Sequence, residues 1–167
     1  MAVAVGVASG VAVLVGVLVG TAVRVIVGLT VGVSVGVAVR VGVAVADGVR
    51  AEMKKVEPLL ADPHSERKAY PTPDYAKNDV RSIKPEYFVG VGICSHLGCS
   101  PSDKFQTGAQ PSLPDDWQGG FFCPCHGSTF DMAGRVYKNV PAPDNLEVPP
   151  HMYLSDAKLL IGEDKKA

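Results

Sequence analysis

The distribution of apolar positions divides this chain into two parts. From residue 3 to residue 45 a valine stands at nearly every odd position, and the residues between are mostly glycine or alanine. A period of two is typical of a β-strand, yet the intervening residues are apolar as well, so neither face is polar as in a half-exposed sheet. Residues 1–50 are therefore interpreted as a low-complexity segment, apart from the globular residues 51–167.

The length of the first apolar run favours a membrane anchor. Residues 2–23 are 22 uncharged residues, and about 20 are needed to cross a bilayer as a helix. Valine and glycine are poor helix formers, but a bilayer favours a helix because every backbone polar group must be satisfied internally. Arg24 ends the run, and the next run, 25–39, is too short for a second span. The pattern predicts at most one transmembrane helix.

Two other interpretations of residues 1–50 stay open. A six-nucleotide repeat in the gene would produce the same two-residue period, so the tract is also consistent with non-native sequence from expansion or a shifted reading frame. The third interpretation is a soluble, aggregation-prone strand segment. No basic region precedes the apolar run and no twin arginine occurs, so the sequence predicts no ordinary export signal.

Residues 51–167 have the mixed composition of a small β domain. Residues 50–60 predict a short helix interrupted before Pro58, and the proline-rich stretch 61–84 predicts irregular chain that wraps the domain. Short β-type runs separated by Gly, Pro and Asp turns then predict strands at 87–93, 120–123, 134–137 and 158–162. The fold class is therefore mainly β, a small antiparallel domain.

Charge and cysteine content narrow the chemistry. A net charge of −1 and a pI near 6.4 give no basic excess that would attract nucleic acid. The four cysteines, Cys94, Cys99, Cys123 and Cys125, fall within 32 residues. Such clustering indicates a site rather than scattered buried thiols.

Two short boxes, each placed where a predicted strand ends, combine cysteine with histidine. Cys94-Ser-His96 follows strand 87–93, and Cys123-Pro-Cys-His126 follows the aromatic run Gly120-Phe121-Phe122. Two such loops side by side supply two sulfur and two nitrogen ligands, the set used when two histidines replace two cysteines on one iron of a [2Fe–2S] cluster. A Cys2His2 zinc site would use the same donors, but zinc fingers pair like ligands, whereas each box here mixes one Cys and one His.

The full boxes, C-S-H-L-G-C at 94–99 and C-P-C-H-G-S at 123–128, resemble the paired motif of Rieske proteins. Further stretches, A-D-P-H-S-E-R-K-A-Y at 61–70 and P-A-P-D-N-L-E-V-P-P-H-M-Y-L-S-D at 141–156, are similar to the proteobacterial iron–sulfur subunit of the ubiquinol–cytochrome c reductase (cytochrome bc1) complex. The resemblance covers roughly two thirds of the chain and implies a β domain with two cluster-binding loops.

The resemblance implies a role for each donor. Cys94 and Cys123 would bind one iron of a Rieske [2Fe–2S] cluster, and His96 and His126 the other, with the histidines at an exposed tip. Cys99 and Cys125 would form a disulfide between the two loops, as an oxidising compartment permits.

Neighbouring residues are expected to shape the cluster environment. Ser128 resembles a serine whose hydroxyl donates to a bridging sulfide and raises the potential. Many relatives have a tyrosine two residues later that hydrogen-bonds a cysteine sulfur, but this chain has Phe130. Residues 141–143 resemble a proline-rich loop that covers the cluster, although a rigid surface turn explains them equally well. Leu97 is expected to shield the cluster edge and contact a partner subunit.

The same resemblance implies quinol oxidation. Ubiquinol would hydrogen-bond to His126, and the electron would pass to cytochrome c1, with cytochrome b as a second partner. The domain would lie on the periplasmic side of the cell inner membrane. The alternatives are a soluble Rieske ferredoxin or oxygenase domain, which typically lacks the extra cysteine pair, and a truncated nonfunctional relative. Relatives carry a twin-arginine segment and early base strands ahead of the region at residue 61, and the valine tract occupies their place.

Overall fold

The computed structural model describes residues 2–7, 11–16, 27–30, 38–43, 53–67, 71–156 and 158–164, the first four segments as backbone alone. In these four segments the period of two appears as strands β1 (Ala2–Val7), β2 (Val11–Gly16), β3 (Val27–Thr30) and β4 (Ala38–Val43). The other residues of the 2–23 run lie outside the described part. No helix among the described residues is long and apolar enough to cross a membrane.

Six further strands build the globular part, which is mainly antiparallel β as predicted. They are β5 (Tyr87–Val91), β6 (Ser102–Lys104), β7 (Gly120–Cys123), β8 (Ser128–Phe130), β9 (His151–Ser155) and β10 (Lys158–Ile161). The three sheets have the orders β2-β1-β10-β9, β3-β4-β5 and β6-β7-β8. All pairs are antiparallel except β1 with β10, which is parallel.

Three of the four predicted strands are confirmed, and the fourth is wrong. Residues 134–137 make only isolated bridges, Val136 with Phe130 and Tyr137 with Leu60. The Asp131 carboxylate accepts the backbone N–H groups of Ala133 and Arg135, at 3.0 and 2.8 Å, which closes a tight turn. This turn competes with an extended conformation.

Helical structure is confined to short pieces. A helical turn at 53–56 runs into a 3₁₀ helix, Glu57–Leu59, which agrees with the short helix predicted around Pro58. A second 3₁₀ helix, Asp74–Ala76, interrupts the otherwise irregular stretch that was predicted to wrap the domain. Residues 68–70 of that stretch lie outside the described part.

The core lies directly behind the two cysteine–histidine boxes. Phe121 packs against Phe88 and Phe105, with ring centroids 6.1 and 5.4 Å apart. Cys94 and Cys123 belong to the same buried cluster as Phe88 and Phe121. The boxes are therefore anchored on well-packed aromatic side chains rather than on a flexible surface.

A buried arginine fixes the wrapping segment to this core. Arg81 is 2% exposed and donates to the carbonyls of Ala133, Gly134 and Leu146 at 2.9, 3.2 and 2.8 Å. Burial lowers the pKa of its guanidinium to about 10, so it remains charged at neutral pH. Moving the Arg81 guanidinium away would leave these buried carbonyls without a hydrogen-bond donor. The hydrogen bonds therefore hold Arg81 and the three carbonyls in one arrangement.

Candidate functional site

Both cysteine–histidine boxes fold into the same kind of turn. The N–H of Gly98 donates to the carbonyl of Cys94, and the N–H of Gly127 donates to the carbonyl of Cys123, each at 3.0 Å. Both glycines have positive φ, +81° and +78°, which other residues rarely adopt. A Cβ on either would meet no described protein atom within 4 Å, so the backbone turn accounts for these glycines.

The two turns bring two free thiols together at the core side of the site. Cys94 and Cys123 are both unpaired in disulfides, and each is 2% exposed. Burial raises the pKa of the Cys94 thiol, the neighbouring Cys123 adds to the rise, and a hydrogen bond with Ser128 opposes it. Without a bound cation, burial therefore favours the neutral form of the Cys94 thiol.

The two imidazoles meet on the outer side. The rings of His96 and His126 lie with centroids 4.8 Å apart and planes at 85°. Nδ1 of His96 is buried and has no hydrogen-bond partner among the described residues. A buried imidazole nitrogen of this kind is what a metal ligand requires. The donors present thus fit a centre that takes two sulfurs and two nitrogens.

The remaining cysteines form the expected disulfide. Cys99 and Cys125 are bonded, with Cα atoms 6.6 Å apart, and join the two boxes across 26 residues of sequence. Sγ atoms of Cys99, Cys123 and Cys125 lie within 4.8 Å of one another. The bridge therefore stands directly beside one of the free thiols and holds the two loops in register.

Two serines, one from each box, fasten the proline-rich loop at 141–144. Oγ of Ser128, which is fully buried, accepts the backbone N–H of Ala142 at 3.0 Å. Oγ of Ser95 donates to the carbonyl of Asp144 at 2.7 Å and accepts its N–H at 3.2 Å. The loop is thus tied to both boxes. Sequence reasoning missed Ser95, and its position between Cys94 and His96 was the available signal.

The outermost side chains of the site are exposed. Leu97 in the first box is 71% exposed, and His126 in the second box is also exposed. The histidines outside the boxes behave as expected for surface and structural residues. His64 is exposed, and its Nε2 lies 3.7 Å from Oε1 of Glu57. His151 is only 1% exposed, and its Nδ1 lies 2.8 Å from the Pro149 carbonyl oxygen.

Comparison with known proteins defines the class. Residues 76–150 match the Rieske [2Fe-2S] domain family. This part of the chain therefore belongs to that family and implies one Rieske-type [2Fe–2S] cluster, rather than the zinc site that the same four donors left open.

Within that class, the chain is similar to iron–sulfur subunits of respiratory complexes. It is 56% identical over 115 residues to the ubiquinol-cytochrome c reductase iron-sulfur subunit of Allochromatium vinosum, covering 69% of this chain and 54% of that protein. It is 48% identical over 89 residues to cytochrome b-c1 complex subunit Rieske-1, mitochondrial, of Arabidopsis thaliana, covering 53% and 29%. The chain thus spans about half the length of the first relative and less of the second.

Proposed function

We propose that Cys94 and Cys123 bind one iron of the cluster and that His96 and His126 bind the other. The observation that carries this proposal is the convergence of two buried free thiols and two adjoining imidazoles on matching turns. The disulfide leaves these two cysteines as the free thiols of the described residues.

The bound cluster would supply a one-electron acceptor, and histidine ligation places Rieske centres at about −150 to +300 mV. We infer that the chain is the electron-transfer subunit of a ubiquinol–cytochrome c reductase (cytochrome bc1) complex, an enzyme only as part of that complex. The cysteine pair and the similarity to such subunits favour this function over a soluble ferredoxin or oxygenase domain.

The residues at the tip have complementary tasks in this function. The exposed imidazole of His126 would accept a hydrogen bond from ubiquinol and take up its proton at the ring nitrogen that does not bind iron. Leu97, one residue after His96, presents an exposed apolar side chain suited to docking in a quinone pocket of cytochrome b. The proline-rich loop, held by Ser95 and Ser128, would keep water from the inner side of the cluster.

The site assignment is tested by electron paramagnetic resonance of the dithionite-reduced full chain with a redox titration. We expect a rhombic Rieske signal that titrates at positive potential and disappears in Cys94→Ser and His126→Gln. His64→Gln, an exposed histidine outside the boxes, is the matched control and should keep the signal. A silent wild-type sample that contains zinc and no iron would contradict the assignment.

The wider function needs the complex. In membranes that contain cytochrome b and cytochrome c1 but lack their own iron–sulfur subunit, the chain should restore ubiquinol-dependent reduction of cytochrome c1. Restored reduction would also indicate that the domain reaches the periplasmic side of the inner membrane. An intact cluster signal without quinol oxidation would instead identify a soluble electron carrier, and no cluster would identify a nonfunctional relative.

A further inference from the structure

The proline-rich loop is held by hydrogen bonds from two separate parts of the chain. On the box side it is held by Ser95 and Ser128, as described above. On the other side it contacts residues 61–67, here named the strap, which lie about 76 positions earlier in the sequence. The strap belongs to neither box, and the ligand assignment gives it no role.

Buried hydrogen bonds join the strap to the residue that ends the loop. Asn145 is 6% exposed, and its Nδ2 donates to the Asp62 carbonyl at 2.9 Å and to Oγ of Ser65 at 3.1 Å. Oδ1 of Asn145 accepts the N–H of Val136 at 2.8 Å. One side chain therefore connects the strap, the loop and the turn behind the core.

The loop itself is held by the last described residue of the strap. The guanidinium of Arg67 donates to the carbonyl of Pro143, and its Nη1 lies 3.7 Å from Oδ1 of Asp144. The Asp144 side chain is only 15% exposed, so this charge pair is partly shielded from solvent. Arg67 can serve both acceptors because a guanidinium presents several donors in one plane.

The direction of Arg67 is set within the strap. The Asp62 carboxylate is 8% exposed and accepts the N–H groups of Glu66 and Arg67, at 2.9 and 3.2 Å. These bonds curl residues 62–67 into a turn, as aspartate commonly does at chain reversals. Arg67 thus leaves the strap in a fixed direction toward the loop.

We propose that Arg67 is a positioning residue that seats the proline-rich loop over the cluster, with Asp62 as its support. The proposal rests on the proposed cluster site, because that is what the loop covers. Without Arg67 the loop keeps its two serine contacts but loses its outer hold, so it opens more often and admits water to the site.

The test is amide hydrogen exchange of the full chain, with and without Arg67→Gln. The amides of Ala142 and Asp144, which donate to the two serines, should exchange about fivefold faster, as expected for a charge-assisted hydrogen bond at a half-exposed position. The amide of Asp131, bonded to the Arg135 carbonyl in the core turn, should not change. Arg67→Lys keeps the charge and should restore part of the protection.

Lys77→Gln is the matched control. Lys77 is an exposed cation, and its ion-pair partner Asp74 does not belong to the loop. Unchanged exchange at Ala142 and Asp144, or equal acceleration at Asp131, would overturn the proposal. If Arg67→Gln does not fold, Asp144→Asn removes the charged partner and must accelerate the same two amides, or the proposal fails.

A second readout separates this proposal from the proposed function. In protein that holds the cluster, Arg67→Gln should lose iron to a chelator several times faster than Lys77→Gln. Equal rates of loss would overturn the seating role. Faster loop exchange in a chain that assembles no cluster would leave the strap's hold on the loop established and defeat the proposed function instead.

Discussion

The fully buried hydroxyl of Ser128 accepts the backbone N–H of Ala142 at 3.0 Å. A hydroxyl that accepts in this way still has its own proton to donate. That proton is free for a hydrogen bond to the Cys94 sulfur, which lowers the pKa of that thiol against the larger effect of burial. One side chain therefore holds the proline-rich loop and keeps a proton for the proposed cluster site.

Ser128→Ala should lower the reduction potential. Reduction adds negative charge, which a donated hydrogen bond stabilises. Losing a bond of about 1.4 kcal/mol corresponds to about 60 mV for one electron. Redox titration followed by electron paramagnetic resonance measures the shift. Ser102→Ala, which removes a bond to the Phe122 carbonyl within the β6–β7 pair, should leave the potential unchanged. An unshifted Ser128→Ala would argue against a donor role.

Phe130→Tyr should raise the potential. Phe130 is fully buried in the same core cluster as Cys94 and Cys123, and it stands where the resemblance places a tyrosine that hydrogen-bonds a cysteine sulfur. The same titration measures the effect. Phe105→Tyr adds a hydroxyl to a partly buried ring of the same cluster and serves as control. No rise in Phe130→Tyr would refute the idea that the missing donor lowers the potential in this chain.

Removing the disulfide should destabilise the domain while leaving the four ligands in place. Closing a loop across 26 residues of sequence lowers the entropy of the unfolded chain. In the chain-entropy treatment this adds about 3.5 kcal/mol to the free energy of unfolding. The double variant Cys99→Ser, Cys125→Ser should therefore unfold at a lower urea concentration than wild type, measured by circular dichroism. A dithiol reductant should shift wild type toward the variant and leave the variant itself unaffected. Equal midpoints for variant and wild type would contradict the prediction.

Acid should destabilise the domain through His151. His151 is 1% exposed, and burial lowers the pKa of its ring. In the unfolded chain the pKa of a histidine is about 6.5. At a pH below this value the unfolded chain binds a proton that the folded chain does not. The contribution of neutral His151 to the free energy of unfolding is therefore complete above about pH 6.5 and is lost as the pH falls below it. The groups that influence the ring are Tyr75, Tyr153 and Asp164.

Urea midpoints at pH 7.5 and 5.5 measure this effect. His151→Phe keeps an aromatic ring against Tyr75 and should show a smaller difference between the two midpoints than wild type. His64→Gln, at an exposed position, should retain the wild-type difference. If His151→Phe retains it as well, another group causes the acid sensitivity.

The sequence by itself determined the type of fold and the candidate donors. Each box is local, since Cys94 and His96, or Cys123 and His126, are brought together by one short turn with a glycine that the motif displays. The disulfide followed from the resemblance, and the strands around 87–93 and 120–123 followed from apolar runs long enough to detect.

Only the tertiary structure decided how the site is enclosed. The bonds of Ser95 to Asp144 and of Arg67 to Pro143 join residues 49 and 76 positions apart, so no local pattern contains them. The strand predicted at 134–137 is reduced to two isolated bridges, because the Asp131 carboxylate accepts the N–H groups of Ala133 and Arg135 and closes a turn where the strand would begin. Such contacts depend on which distant segments the fold brings together. Composition and periodicity describe only neighbouring residues, so they do not predict these contacts.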